Sequence, residues 1–400
     1  MTTYSYDNGL LNIITMGNGA GTLDISSGGF NNSVNIITMG IGPDTLDISN
    51  GGFNNSLNTI VMSNGDTLDS SSGGFNSSFN IVTMGSGDAL DISNGGSNSS
   101  FNIVTIGNGL DTQDISNGGS NISFGLTTIG NGSDTLDISN SGGSDTVTMG
   151  NGPDTLDISN SGGYDTIIMG NGPDTLDISN TGNFSSGFDT ITMGNGSDTV
   201  GFLAGFGDIV TMGNGSDTVD NLDGFGDTVT MGNGSDTVGI SDGGNNTVTM
   251  GNGSDTVNIS STGFNAVTTG SGNDTISVGA DANFDTFTLD DTNANLVLNG
   301  TGNEVFVNGG NDLMTDTPGG SDQLLLAMQA GGGNVSIANF STASALVDLV
   351  PSLGFANPSQ VLAALTSDGH GGTLLNLSHG SIDFLGVAPG QLTSSNFQVG

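Results

Sequence analysis

One small unit, an apolar residue set just ahead of a Gly-x-Gly turn, returns along most of the chain at nearly fixed intervals. The marker falls at Met16, Met39, Met62, Met84, Ile106, Ile129, Met149, Met169, Met193, Met212, Met231 and Met250, and Thr269 closes the series. Successive steps are 23, 23, 22, 22, 23, 20, 20, 24, 19, 19, 19 and 19 residues. Self-similarity at such a period marks a chain built by stacking one structural unit, and it overrides any reading of isolated segments. Within a repeat, two short segments alternate polar and apolar residues, as in Thr146-Val147-Thr148-Met149 and Thr155-Leu156-Asp157-Ile158. Alternation at period two belongs to a strand with one buried face, which puts Val147, Met149, Leu156 and Ile158 inside. A single coil of two strands and two turns cannot cover its own apolar face, so its stability comes from its neighbours. The expected fold is all-β, a parallel β-solenoid of about 14 coils over residues 10–316, with a small C-terminal α+β cap.

Composition narrows the function. The chain has 400 residues with no Lys or Arg and 40 acidic residues, for a formal charge of −40. Without cations it has nothing to neutralise phosphates or anionic headgroups, so nucleic acid is not an expected partner and neither is a charged membrane surface. No apolar run is long enough to insert into a bilayer. High net charge with 71 glycines would suit a disordered chain, but the hydrophobic residues, 33% of the total, recur in order rather than at random. There is no Cys, hence no disulfide staple or thiolate chemistry. The N-terminus lacks the basic and apolar regions of a removable signal peptide.

The turns carry the chemistry. The pattern at 130–134, Gly-Asn-Gly-Ser-Asp, returns coil after coil, which stacks one carboxylate per coil along an edge: Asp44, Asp66, Asp88, Asp111, Asp134, Asp154, Asp174, Asp198, Asp217, Asp236, Asp255 and Asp274. The opposite edge carries Asp145, Asp165, Asp189, Asp208 and Asp227 before Asn246 and Asn265 take the place of the acid. Like charges one strand spacing apart repel by about 0.9 kcal/mol per pair even at the dielectric constant of water. A hard divalent cation bound by carboxylates and by the carbonyls of glycine turns would relieve this. Its tolerance of six to eight oxygens favours Ca²⁺ over Mg²⁺. The seventeen aspartates named here are the candidate metal ligands. Soft metals are not expected, because His370 and His379 both lie outside the array and read as turn residues.

These turns resemble the nonapeptide repeats of RTX proteins, Gly-Gly-x-Gly-x-Asp-x-apolar-x, whose fold is a Ca²⁺-binding parallel β-roll. Residues 149–157 keep Gly150, Gly152, Asp154 and Leu156 at the matching positions, with Met149 in place of the first glycine. Gly21 stands where the first coil would place its aspartate, and the turns leading to Asp66 and Asp88 are one residue short. The resemblance spans about three quarters of the chain and implies several bound Ca²⁺ ions. The stretch from Asp368 onward looks like the C-terminal region of bacterial proteins exported by type I secretion. That resemblance implies the type I machinery as a partner, and a secreted, extracellular or cell-surface location in a Gram-negative bacterium.

Three regions follow: 1–130 with long repeats, 131–316 with the RTX-like repeats, and 317–400 as cap and secretion region. In the first, Phe30, Phe53 and Phe75 form one column and Val34, Leu57, Phe79, Phe101 and Phe124 another. Counting back from the inward methionines places the adjoining Asn35, Asn58, Asn80 and Asn102 inside, unless a bulge shifts the register. The Val/Leu/Phe column then becomes an outward apolar stripe; with a bulge it would enter the core instead. Asp47, Asp69, Asp91, Asp114, Asp137, Asp157 and Asp177 form a further, outward acidic column. In the last region, residues 342–350 and 359–366 read as short helices, the second with Asn357 as N-cap and Pro358 at N1, followed by a hairpin of 372–377 with 381–385.

No catalytic constellation accompanies the two histidines, so no enzymatic activity is expected. A repeat begins almost at once, which favours the roll itself as the product. The expected function is a calcium-dependent structural protein that assembles with itself into a layer, filament or matrix, with a cell-surface polysaccharide as a further partner. The alternative is a calcium-stabilised adhesin or an ice-binding solenoid, suggested by the outward rows through Thr135, Thr155, Thr175, Thr148 and Thr192.

Overall fold

A computed structural model describes residues 3–7, 11–27, 33–50, 56–72, 78–94, 100–117, 123–140, 143–160, 164–178, 188–203, 205–261, 263–290, 293–316 and 325–400. It divides into two compact units, Met1–Val210 and Thr211–Gly400. Each is a parallel β-solenoid.

In the first unit every coil contributes one strand to each of two sheets. In the first sheet, Thr135–Asn140 pairs in parallel with Thr112–Asn117 and with Thr155–Asn160. The pairing is in register, Leu136 beside Leu156 and Ile138 beside Ile158. In the second, Ser78–Thr83 lies between Ser56–Val61 and Ser100–Thr105, again residue on equivalent residue. The expected alternation holds: Val147, Met149, Leu156 and Ile158 are all buried. A fully buried Leu or Ile contributes about 1.5–3 kcal/mol relative to an exposed one. Registry is strict because a slip of one residue would turn this whole apolar set outward.

Asn58, Asn80 and Asn102 are buried, as the count from the methionines requires. Inside the coil they form an amide ladder, Asn58 Nδ2 donating to Asn80 Oδ1 at 2.8 Å and Asn80 Nδ2 to Asn102 Oδ1 at 3.0 Å. Leu57, the neighbour of Asn58, and Val34, which pairs with Leu57 on the adjacent strand, are half-buried. Phe30, Phe53 and Phe75 lie outside the described residues.

The second unit repeats the plan with shorter strands, such as Thr228–Thr230 beside Thr247–Thr249. Two glycines of its turns leave no room for a side chain. A Cβ on Gly251 would fall on the carbonyl oxygen of Gly232, and one on Gly253 on that of Gly234. Parallel pairing runs on past residue 316, with Leu325–Met328 on Glu304–Val307 and then Leu346–Leu349 on Leu325–Met328. The helix expected over 342–350 is therefore a turn and a strand. Ala345, Val347 and Leu349 are buried in a period-two pattern that carries on the core. The second expected helix is present as α1, Pro358–Ala364, and the Asn357 side chain accepts from the Gln360 backbone N–H at 3.1 Å. The expected hairpin is present too: Thr373–Leu377 runs antiparallel to Gly380–Leu385, which pairs in parallel with Gly333–Ala338. Reversing strand direction there ends the parallel stack of that sheet, while on the other sheet Phe397–Val399 still pairs in parallel with Leu346–Leu349. Among the described residues no helix is long and apolar enough to cross a membrane.

Candidate metal sites

The column aspartates enter their strands from glycine turns, and their backbone carbonyls accept from a residue of a neighbouring coil, most often a threonine but, for example, Ala89 at Asp66 and Asn295 at Asp274. Thr155 N–H donates to the Asp134 carbonyl at 2.8 Å, and Thr175 N–H to that of Asp154 at 2.9 Å. The side chains then fold inward instead of outward. Asp44, Asp66, Asp88, Asp111, Asp134, Asp154, Asp174 and Asp198 in the first unit, and Asp217, Asp236, Asp255 and Asp274 in the second, are all at most 3% exposed. So are Asp145, Asp165, Asp189, Asp208 and Asp227 on the other edge.

A ladder of hydrogen bonds runs up each column, from the backbone N–H of one coil to the carboxylate of the next. Asp111 N donates to Asp134 Oδ1, Asp134 N to Asp154 Oδ1 and Asp154 N to Asp174 Oδ1, each at 3.0 Å. In the second unit Asp217 N donates to Asp236 Oδ1 at 2.9 Å and Asp236 N to Asp255 Oδ1 at 3.0 Å. On the other edge Asp145 N donates to Asp165 Oδ1 at 2.8 Å, and Asp227 N to Asn246 Oδ1 at 2.9 Å. Asparagine substitutes there because it keeps the acceptor and lacks the charge.

The irregular coils join the same ladder. Gly21 has no side chain to offer, but its N–H donates to Asp44 Oδ1 at 2.7 Å. The short turns still bring Asp66 and Asp88 into line, Asp44 N reaching Asp66 Oδ1 at 2.9 Å and Asp66 N reaching Asp88 Oδ1 at 2.8 Å. They turn through Gly65 at φ +79° and Gly87 at φ +76°, where a side chain would be strained.

Two aspartates of the ladder escape the sequence reading. Ala294 interrupts the first column of the second unit, yet its N–H donates to Asp312 Oδ1 at 2.9 Å. Asp285, fully buried, accepts from the Asn265 backbone at 2.8 Å on the other edge. The signal for Asp285 is the Asp-Thr pair that opens a strand, as at Asp145-Thr146 and Asp165-Thr166.

The second carboxylate oxygens differ. Oδ2 of Asp44, Asp88, Asp111, Asp134, Asp154 and Asp174, and of Asp236, Asp255, Asp274 and Asp285, is buried with no hydrogen-bond partner. Asp66 is an exception, its Oδ2 accepting from Ser63 N at 2.6 Å. Burial without a donor disfavours the charged form. It raises the Asp174 pKa to about 7 and those of Asp134, Asp255 and Asp285 to about 6, against the opposing pull of the ladder N–H. Burial likewise shifts Asp154, Asp198, Asp236 and Asp274 upward.

Rows of buried, unpartnered carboxylate oxygens fit a hard cation by their chemistry. Among the described residues no three His, Cys, Asp or Glu side chains form a metal-binding group. A bound ion would thus draw its charge from carboxylates on separate coils and its remaining oxygens from backbone carbonyls or water. His370 and His379 contribute nothing here. The His370 backbone N–H donates to Asp368 Oδ1 at 2.6 Å in an exposed turn, which lowers the Asp368 pKa.

No family model matches the sequence, and no match is found among curated proteins or solved structures.

Proposed function

We propose that this is a secreted structural protein, stabilised by Ca²⁺, that assembles with copies of itself into a layer, filament or matrix at the surface of a Gram-negative bacterium or beyond it. The observation that carries the reading is the series of buried Oδ2 atoms without donors, at Asp88, Asp111, Asp134, Asp154 and Asp174 in the first unit and at Asp236, Asp255 and Asp274 in the second. Ionised, they oppose folding; with calcium they join neighbouring coils. The ions bind the folded chain in preference to the unfolded one, so the metal acts as a folding switch. Such a chain is least stable where calcium is scarce, which eases unfolded export by a type I system, and is held folded where calcium is plentiful. The RTX-like turns and the C-terminal resemblance support this reading, with a cell-surface polysaccharide as a further partner.

Thermal melts followed by circular dichroism, with excess EGTA and then with calcium restored, test the metal. The midpoint should rise steeply with calcium, and an unchanged β signal and midpoint would count against it. Electron microscopy of the calcium-loaded protein should reveal ordered polymers.

A second reading, an ice-binding module, draws on one feature of the second unit. Thr228 and Thr230 stand in register on Thr247 and Thr249, all four exposed, as a regular lattice of hydroxyls and methyls. Thermal hysteresis from a monomeric protein would favour it.

A further inference from the structure

The two sheets of the first unit present opposite chemistries to solvent. Outward positions of the first sheet carry Asp24, Asp47, Asp69, Asp91, Asp114, Asp137, Asp157 and Asp177, each stacked on the next in register. Outward positions of the second sheet, among the described residues, carry no charge at all. One column there reads Ile13, Ile36, Thr59, Ile81, Ile103 and Leu126, and the next Thr15, Thr38, Val61, Thr83, Thr105 and Thr128. Ile13 is 69% exposed, Ile36 40%, Val61 43% and Leu126 40%. A row of exposed β-branched and leucine side chains on a chain of this charge marks a contact surface.

We infer that this neutral sheet face is where a second copy of the chain docks, sheet against sheet. This deepens the assembly reading above by naming the surface and the partner. Charge decides the occupant. A cationic partner would be drawn to the acidic sheet, and an anionic one would find no Lys or Arg anywhere. A second copy, repelled by its twin's outward acid column across the first sheet, meets here without bringing like charges together and leaves both acidic sheets facing outward. Size agrees as well. Nine strands, from Leu11–Thr15 to Thr190–Thr192, are linked in parallel on this face. At about 4.8 Å per strand and about 15 Å across three outward side chains, the face covers roughly 600 Å². Two copies would bury roughly 1,200 Å² together, the lower bound for a stable specific interface. A two-fold operator satisfies both faces at once, because the same patch serves each copy.

Sedimentation velocity of the full chain at physiological ionic strength, with and without calcium, tests this. The wild type should run as a dimer or larger. Ile81→Glu with Ile103→Glu should weaken self-association roughly a hundredfold, because like charges would oppose one another across the contact. Ile81→Thr with Ile103→Thr, which repeats the residue already present at Thr59, should fold with an unchanged dichroism spectrum and weaken association roughly tenfold by loss of apolar area. Asp91→Asn with Asp114→Asn on the other sheet should leave the contact intact. A monomeric wild type overturns the inference, as does a monomer that cosediments with phosphatidylcholine vesicles, which would give the face to a lipid surface. If the glutamate pair still forms calcium-dependent polymers of wild-type order, this face is not the contact while the scaffold reading stands. Wild-type dimers that the glutamate pair dissolves, but that never extend into polymers, would establish the contact and remove the scaffold.

Discussion

Asp154 holds the backbone N–H of Asp134 with one carboxylate oxygen, at 3.0 Å, and leaves the other buried without a donor. The first contact is a structural bond between coils; the second oxygen is a liability until something positive reaches it. Asp154→Asn separates the two. It keeps the acceptor for Asp134 and removes the charge, as Asn246 and Asn265 do on the opposite edge. In EGTA at neutral pH the variant should be more stable than wild type by about 1 kcal/mol, and it should gain less from calcium. Asp154→Ala also strips the acceptor and should lose about 1–3 kcal/mol in EGTA. Urea titrations of the three proteins, with and without calcium, read both effects.

Acid should stabilise the metal-free protein. Asp174 titrates near pH 7 and Asp134, Asp255 and Asp285 near pH 6, all above the ordinary 3.8. A group whose folded-state pKa is raised binds its proton more tightly in the folded chain. Its contribution is complete below about pH 4 and disappears as the pH climbs through 6 and 7. The melting midpoint in EGTA should therefore fall across that interval. Calcium needs the ionised carboxylates, so in its presence the trend should flatten or reverse. A metal-free midpoint that rises from pH 4 to pH 8 would contradict the burial of these carboxyls.

Much of the solenoid can be read from the chain because period and alternation are local. The methionine spacing marks the coils, and the alternation about Val147 and Leu156 sets the buried face. The aspartate columns are legible as positions, since equal spacing stacks equal residues. Their environment is not. That Asp134 turns inward onto the N–H of Asp111 is a relation between coils, and counting charges alone treats every carboxylate as ionised and turned toward an ion. Asp312 is hidden because Ala294 breaks the column one coil earlier. Residues 342–350 mislead because a short run such as Ala345-Leu346-Val347-Asp348-Leu349 suits either a helix or a strand, and only pairing with Leu325–Met328 decides it.

Gln113 occupies a position of the first sheet that Leu90 and Leu136 fill on either side. It is 2% exposed, and neither its amide oxygen nor its amide nitrogen has a hydrogen-bond partner. Gln113→Leu removes two stranded polar atoms and restores the aliphatic column, so it should stabilise the protein by about 1–3 kcal/mol. A urea midpoint at or below that of wild type would show that the amide is satisfied in solution.

Asn80 is the middle rung of the internal amide ladder, accepting from Asn58 and donating to Asn102. Asn80→Ala removes both bonds and opens space inside a closely packed coil, so it should cost about 2–4 kcal/mol. Asn80→Leu should cost a comparable amount, because its apolar replacement cannot answer either neighbouring amide. If the ladder were incidental, the leucine variant would instead match or exceed wild type in urea, as Gln113→Leu is expected to do. The two substitutions form a matched pair: the same change from amide to leucine at two buried positions, with opposite signs set by whether the amide has partners.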